Sequence, residues 1–250
     1  MMTTPALTSS RRPADTQQVR AMFDAIAPTY DLLNGILSGG AHRIWERVFV
    51  RYLPTLPTGR CLDLCTGTGA LVPRLAAKFG RVVAADISPR MLQVARSRFV
   101  SLSNVDWVEA DAQRLPFEDS SFNCLTVSYG VRNVPNLEQG MSEMWRVLKP
   151  GGTLAILEFG TPPNRLWNRI FSLYSKHVIP VIGGLLSGQR GAYEYLPATA
   201  AAFPCGDQFQ ALLIKAAFEP CVTRRLLGGV AYIYVAKRPA IDVAERQVEE

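Results

Sequence analysis

The order of strand and helix patterns constrains this chain more than any other feature of its sequence. From residue 60 onward, short apolar strand patterns alternate with amphipathic helix patterns, which predicts βα units and a parallel sheet covered by helices on both faces. The last two strand patterns are joined by Gly228 and Gly229, so they must pair as an antiparallel hairpin, because a parallel crossover needs about a dozen residues. The predicted strands are 60–64, 82–85, 105–108, 123–128, 153–158, 221–227 and 231–236.

These patterns predict an α/β, Rossmann-like fold with a mostly parallel seven-stranded sheet and an antiparallel C-terminal hairpin. We expect one domain at 16–238, with lid elements at about 16–52 and 161–205, a disordered leader at 1–15 and a solvated tail at 239–250. Ser88 followed by Pro89 predicts a helix start. The predicted helices are 17–26, 41–52, 70–78, 89–99, 137–148 and 208–217.

A glycine turn follows the first predicted strand and opens a helix. Gly67 and Gly69 lack a Cβ, so a ligand can approach the backbone there, and the following helix N-terminus favours an anionic group. A dinucleotide site would need a third glycine for close helix packing, and Val72 stands at that position. Asp63 precedes the turn, where a carboxylate suits a ligand with an ammonium group. The turn therefore fits an amino-acid moiety better than a pyrophosphate.

Two more carboxylates follow successive predicted strands. Asp86 and Ile87 come after the second strand, where a carboxylate can accept hydrogen bonds from both hydroxyls of a ribose. Asp111 and Ala112 come after the third strand, within reach of an adenine amino group. The carboxyl ends of parallel strands meet at one edge of the sheet, where such sheets bind ligands. The combination predicts a nucleoside joined to an amino acid, which is S-adenosylmethionine.

Charge and composition limit the classes of partner that the chain is expected to bind. The net charge is +6 and the pI is near 9.2, which permits nucleic acid, an anionic membrane or an acidic small molecule. The basic residues are scattered, whereas nucleic-acid grooves are usually clustered and basic, so no nucleic-acid partner is expected. The five cysteines match no zinc spacing and only two histidines are present, so no metal site is expected.

Membrane signals are weak in the sequence. The N-terminal residues lack the apolar stretch of a secretory signal, and the longest apolar stretch, 178–186, is too short to span a bilayer. We therefore expect a cytoplasmic protein, either soluble or peripheral on the inner face of the cytoplasmic membrane. The oligomeric state stays open, a homodimer included.

Four stretches outside the glycine turn carry a family resemblance. They are MFD at 22–24 with YDLLN at 30–34, HRIW at 42–45, SYGVRNV at 128–134, and YSKHVIPVIG at 174–183 with YEYL at 193–196. On these motifs the chain, over about 19–238, resembles the ubiquinone/menaquinone biosynthesis C-methyltransferases (the UbiE/MenG family). The resemblance implies the class I methyltransferase version of the fold. Ala70 and Thr66 depart from the family pattern, which often has an acidic residue and a glycine there.

The resemblance also implies cofactor contacts at Thr68, Asp86, Asp111, Ala112 and Ser128. It implies methylation of a ring carbon of a polyprenylated quinol, with demethylmenaquinol as the favoured substrate. A ubiquinone precursor (2-methoxy-6-polyprenyl-1,4-benzoquinol) and another phenolic or lipid substrate are the alternatives.

Methyl transfer to a ring carbon is easier when a neighbouring phenol ionises, so a cation or a general base is needed. Arg132, at the end of the fourth strand, is the candidate to stabilise the phenolate, directly or through water; a structural salt bridge is its alternative role. Tyr30 and Asn133 are further catalytic candidates. His42 is either a base or a support for the first lid helix.

The segment 166–203 interrupts the alternation of strands and helices. Its apolar residues, such as Trp167, Ile170 and Phe171, suit either a helix packed on the core or an apolar lid that admits a prenyl tail at the membrane surface. Two other functions compete with this interpretation. Val72 and the antiparallel sheet end disfavour a nicotinamide-dependent oxidoreductase, and a non-catalytic S-adenosylmethionine-binding subunit or RNA-binding module would show no turnover with quinols.

Overall fold

The computed structural model describes residues 15–240. The predicted leader, apart from Asp15, and the predicted tail beyond residue 240 lie outside the described residues.

One sheet of seven strands, in the order β3-β2-β1-β4-β5-β7-β6, organises the described residues. Strands β1 to β5 run parallel, and β7 lies antiparallel to both β5 and β6. The predicted mostly parallel sheet with its C-terminal hairpin is therefore confirmed. The strands are β1 Leu56–Leu64, β2 Phe79–Asp86, β3 Val105–Glu109, β4 Phe122–Ser128, β5 Leu148–Phe159, β6 Glu219–Leu226 and β7 Ala231–Lys237.

The central strands are apolar on both sides because helices cover both faces of the sheet. Leu62 and Leu125, on the paired strands β1 and β4, are buried with Met144 and Phe209 on one face. On the other face, neighbouring positions of these two strands pack with Phe49 and Leu75. Two apolar layers thus fix the sheet, and its strands end together at one edge.

The helices among residues 15–240 fall into three groups. Three precede the sheet, three lie among its parallel strands, and four lie between β5 and β6. They are α1 Thr16–Ile26, α2 Tyr30–Leu37, α3 Ala41–Val50, α4 Val72–Ala76, α5 Pro89–Arg98, α6 Leu137–Val147, α7 Arg165–Leu173, α8 Ile179–Ser187, α9 Arg190–Ala202 and α10 Asp207–Lys215. Ser88 caps α5 as predicted, since its Oγ accepts the N–H of Met91 at 3.1 Å. Helix α2 has no counterpart among the predicted helices.

A π-helical turn, Tyr174–Val178, joins α7 to α8 in one helical run, Arg165–Ser187. Among the described residues this is the one helix long and apolar enough to cross a membrane by length and composition, with a mean hydropathy of 1.3. The apolar stretch is therefore longer than the sequence indicated. Its exposed apolar side chains are Leu166, Ile170, Leu173, Val178, Val181, Leu185 and Leu186.

The two predicted lid elements pack together over the sheet edge. Ile26 of α1, Leu33 of α2 and Tyr193 of α9 form a buried cluster with Met91 of α5. Helix α8 crosses α9 closely at Gly183, where a Cβ would lie 2.2 Å from the Tyr193 ring. The helices of the two lid elements, α1 to α3 and α7 to α9, form a lid above the carboxyl ends of β1, β2 and β4. We call it the helical lid.

Candidate active site

Two adjoining cavities lie at the carboxyl ends of the strands. The larger, which we call the lid cavity, has a volume of about 1430 Å³ and lies under the helical lid. The smaller, which we call the cofactor cavity, lies between the sheet edge and α1. Five residues line both cavities and so form the boundary between them: Tyr30, Cys65, Gly67, Ser128 and Tyr129. A group passed from one cavity to the other must cross this shared boundary.

Asp86 ends β2 in the wall of the cofactor cavity. Its Oδ2 accepts the N–H of Gly67 at 2.8 Å, and its Oδ1 accepts the N–H of Ser88 at 2.9 Å. Burial raises the pKa of this carboxyl to about 6, although the backbone donors oppose the rise. A carboxylate held in this way keeps lone pairs for two further donors, as the paired hydroxyls of a ribose require.

The glycine turn presents one of its two glycines to the ligand. Gly67 has a φ of +56° and lines both cavities. Gly69 lines neither cavity: its φ is +80°, and a Cβ there would lie 3.0 to 3.2 Å from the rings of Phe99 and Trp107. The structure therefore gives Gly69 a packing role in place of the predicted cofactor contact.

Asp63 lies beneath the turn and is 1% exposed. Its two oxygens accept the hydroxyls of Thr66 at 2.6 Å and Thr126 at 2.7 Å. Burial raises its pKa to about 6. Asp63 lines neither cavity, so the structure does not bring it to the ammonium group that the sequence assigned to it. Its bonds hold the turn against β4.

The far wall of the cofactor cavity contains Ile87, Asp111 and Ala112, as predicted from the strand ends. Asp111 accepts the backbone N–H of Gln113 at 2.9 Å, which orients its carboxylate. Asn133 also lines this cavity rather than the lid cavity, and its buried Oδ1 has no hydrogen-bond partner among the described residues. This unpartnered acceptor suits a donor on the cofactor better than a group on the substrate.

Thr68, the other predicted turn contact, lines the lid cavity. Its hydroxyl donates to Asp31 of α2 at 2.6 Å, and Asp31 also pairs with Arg98 at 2.5 Å. The turn is thus tied to the helical lid and to α5. Ser128, at the end of β4, faces both cavities.

Arg132 forms a buried ion pair in the wall of the lid cavity. One terminal nitrogen lies 2.6 Å from Oε1 of Glu158 and 2.6 Å from the carbonyl of Tyr129. The guanidinium also lies over the ring of Phe159, at 5.1 Å, and its Nε has no hydrogen-bond partner among the described residues. The salt bridge considered from the sequence is present, and the cation still borders the cavity.

Two tyrosines stand where the cavities meet. Burial raises the pKa of Tyr30 and raises that of Tyr129 well above its usual value, so both phenols stay protonated near neutral pH. The buried Tyr129 hydroxyl has no hydrogen-bond partner among the described residues. Both can therefore donate to an oxygen placed between them.

His42 lines the lid cavity and joins the end of α2 to the start of α3. Its Nδ1 lies 2.6 Å from Ser38 Oγ, which also lies 2.6 Å from the Asn34 carbonyl. Since the hydroxyl has one proton and gives it to the carbonyl, Nδ1 must be the donor in the second bond. Burial lowers the pKa of His42 below its usual range, so the ring is neutral at pH 7. This bond matches the predicted support of a lid helix.

Sequence reasoning missed Cys65, Tyr129 and Glu46. Cys65 and Tyr129 follow adjacent strands and take left-handed backbone with φ of +57° and +56°, a strained state that is concentrated at functional sites. The signal available was their place after Leu64 and Ser128, at the strand ends. Glu46, 5% exposed on α3, also lines the lid cavity.

The strand order with one reversed strand, and the site lined by Asp86 and Asp111 beyond the ends of β2 and β3, define a class I S-adenosylmethionine-dependent methyltransferase. The buried acceptors Asp86 and Asn133 fit this cofactor. The chain belongs to the ubiE/COQ5 methyltransferase family, whose model matches residues 11–238.

Two bacterial relatives align with this chain over most of its length. A protein of Geobacter sulfurreducens is 39% identical over 93% of both chains. One of Teredinibacter turnerae is 37% identical, covering 87% of this chain and 90% of the relative. Both carry the name ubiquinone/menaquinone biosynthesis C-methyltransferase UbiE.

Solved structures share the fold at low identity. The [4+2]-cyclase SpnF aligns with a TM-score of 0.69 at 17% identity, over 92% of this chain and 98% of its own. Phosphoethanolamine N-methyltransferase 2 of Haemonchus contortus, in complex with S-adenosyl-L-methionine, aligns with a TM-score of 0.58 at 17% identity, over 78% of this chain and 52% of its own. Because one neighbour is a cyclase, the fold alone does not fix the reaction.

Proposed function

We propose that this methyltransferase acts on a ring carbon of a polyprenylated quinol. The observation that carries the proposal is the lid cavity, about 1430 Å³, which meets the cofactor cavity at Tyr30, Gly67 and Ser128. A quinol with a prenyl tail needs such a large, mainly apolar space beside the methyl donor. The names of the relatives support the same substrate class.

The residues at the boundary have separate tasks in this reaction. S-adenosylmethionine supplies an electrophilic methyl group when bound. Asp86 holds the ribose, and the Gly67 backbone lets the donor lie close to the turn. Arg132 stabilises the oxygen of the ionised quinol, and Tyr30 and Tyr129 orient that oxygen by donating to it. The helical lid shields the reacting groups from bulk water, which strengthens each of these interactions.

Demethylmenaquinol is the substrate that we propose. Its fused rings suit the aromatic wall formed by Trp45, Tyr129 and Phe159, whose neighbouring ring centroids lie 4.7 and 6.3 Å apart. The benzoquinol precursor of ubiquinone is the second candidate, since the relatives' names include both pathways. A single aromatic ring would use less of this wall.

We also propose that the protein docks peripherally on the inner face of the cytoplasmic membrane through the helical run Arg165–Ser187. Its exposed apolar side chains include Leu185, 81% exposed, and Leu166, 70% exposed. Phe171 and Ile179 of the same run line the lid cavity. Tyr174 donates to the Leu37 carbonyl at 2.6 Å, and Trp167 Nε1 donates to the Leu227 carbonyl at 3.1 Å, which holds the run on the domain. These contacts favour a helix that lies on the membrane.

The test is incubation of the protein with methyl-labelled donor and each demethylated quinol in detergent or vesicles. Label in menaquinol alone supports the proposed substrate, and label in the benzoquinol product alone supports the second candidate. No label in either product, from protein that binds the donor by calorimetry, would overturn quinol methylation.

A further inference from the structure

Glu46 is a buried carboxyl group in the wall of the lid cavity with no part in the tasks given above. It lies on α3 one turn after His42, and Trp45 and Phe49 beside it pack into the core. Its side chain is 7% exposed. The nearest cationic group is the Arg74 guanidinium, 3.5 Å from Oε2, and no hydrogen bond reaches either Glu46 oxygen within residues 15–240. A buried carboxylate normally has stronger partners than one long ion pair.

The charges around Glu46 come from four elements. Arg43 on α3 and Arg74 on α4 favour its ionised form, whereas Asp31 on α2 and Asp63 on β1 disfavour it. Burial outweighs the arginines and raises the pKa of Glu46 to about 7. Glu46 in turn raises the pKa of Tyr129, so the two side chains interact electrostatically across the cavity wall.

Hydrogen bonds or ion pairs already engage Asp31 and His42, which line this cavity, and Glu158, which pairs with the lining residue Arg132. Asp31 accepts the Thr68 hydroxyl and pairs with Arg98. Glu158 is 0% exposed and its Oε1 accepts both Arg132 and the Phe159 N–H. His42 is held by Ser38. A carboxylate whose oxygens receive strong hydrogen bonds is a weak base, and Glu46 lacks such bonds.

We propose that Glu46 is the general base that accepts the hydroxyl proton of the quinol. The O–H bond breaks, its proton moves to a Glu46 oxygen, and the oxygen electron pair moves into the ring. The ring carbon then forms a bond to the methyl carbon, and the electron pair of the breaking C–S bond stays on sulfur. The ring C–H proton passes to water as aromaticity returns, and Glu46 gives its proton back to the quinol oxygen.

This role rests on the proposed function, and its test separates the two. Turnover is measured from pH 5.5 to 9 with the quinol that wild type methylates, for wild type, Glu46→Gln, Glu46→Asp and Arg74→Gln. Glu138→Gln is the matched control, because Glu138 is an exposed glutamate whose partner is Lys215. Calorimetric affinity for S-adenosylmethionine and the thermal midpoint are recorded for each variant, so folding and donor binding are read independently of activity.

A positioned general base contributes about 100- to 10,000-fold to a rate. We expect Glu46→Gln to lose at least about 100-fold in turnover and the rise of rate with pH, with donor affinity retained. Glu46→Asp should keep a pH-dependent rate. Arg74→Gln should move the rise to higher pH, because a cation that favours the carboxylate is gone; a purely structural Glu46 would not produce this shift.

Three results would overturn the assignment. The first is a folded Glu46→Gln variant with near-normal turnover and an unchanged profile. The second applies if Glu46→Gln does not fold: an Arg74→Gln variant whose turnover depends on pH in the same way as that of wild type does. The third is a wild-type protein that methylates no quinol, which removes the proposed function and this role together, whereas the first two remove the role of Glu46 alone.

Discussion

The cofactor edge of the sheet and the helical lid are built in different ways. At the cofactor edge, polar groups are held by backbone donors close in the chain: Asp86 by the N–H of Ser88, and Asp111 by that of Gln113. In the helical lid, polar contacts join distant segments, as Tyr174 does with the Leu37 carbonyl. The cofactor edge therefore depends more on contacts that are local in the sequence, and the helical lid depends more on tertiary packing. We expect changes at the edge to abolish binding or chemistry and changes at the lid surface to alter access.

The largest effect is expected where the two regions meet, at Arg132. Arg132→Ala leaves the buried Glu158 carboxylate without its cation, which should cost about 3–5 kcal/mol of stability. Loss of the charge beside the substrate oxygen should lower turnover by about 100-fold or more. The double variant Arg132→Ala, Glu158→Gln should recover stability, by urea unfolding, without recovering turnover. Near-normal turnover in the double variant would exclude Arg132 from the mechanism.

At the cofactor edge, Asp86→Ala should weaken S-adenosylmethionine binding by about 100-fold or more. Hydrogen bonds to a charged group contribute about 1.5–3 kcal/mol each, and a ribose would lose two of them. Calorimetric titration measures the change. Glu109→Gln is the matched control, because Glu109 ends the neighbouring strand, is half-exposed and pairs with Arg20 at 2.8 Å. Equal affinities in the two variants would contradict the assigned ribose contact.

Beneath the helical lid, Glu46→Gln should stabilise the protein at high pH. Burial raises the pKa of Glu46 from 4.5 to about 7 in the folded state, so the folded protein binds the proton more tightly than the unfolded chain. Below about pH 4.5 both states are protonated and the variant gains nothing. Between pH 4.5 and 7 the wild type loses stability, and above pH 7 the full difference, about 3 kcal/mol, is reached. Urea unfolding at pH 4.5 and pH 8.5 measures it; an equal difference at both values would show that Glu46 titrates normally.

At the lid surface, Leu185→Ser should weaken binding to anionic vesicles by about tenfold, since exposing one leucine side chain to water costs about 1.5–3 kcal/mol. Flotation at low salt measures binding. The control is Ile214→Ser on α10, an exposed apolar residue outside the helical lid, which should bind as wild type does. A wild-type protein that does not float would rule out membrane docking.

Local sequence predicted the sheet and much of the cofactor edge. Strands such as β4 and β5 are buried on both faces, so each appears as an apolar run that tertiary context does not alter. Ser88 capped α5 as its side-chain chemistry indicated. The same reasoning pointed to Gly67, Asp86, Ile87, Asp111 and Ala112, which line one cavity, and the family resemblance added Ser128.

Sequence patterns did not predict the features that depend on contacts between distant residues. Gly69 packs against Phe99 and Trp107, which lie far from it in the chain, so its role could not be separated from that of Gly67. The Tyr129 side chain enters the site because its backbone is left-handed, which no residue pattern predicts for a tyrosine. The catalytic relevance of Glu46 arises from its burial by other helices.

The π-helical turn at Tyr174–Val178 contains one extra residue, and this residue sets the orientation of α8 relative to α7. A π-helical turn behaves as a one-residue insertion in an α-helix, and each residue of an α-helix advances by about 100°. Removing one residue there would rotate Ile179–Ser187 by about that angle relative to Arg165–Leu173. The side chains now facing the interior would turn toward solvent. Deleting one residue, with every other side chain kept, would thus move Gly183 away from the Tyr193 ring.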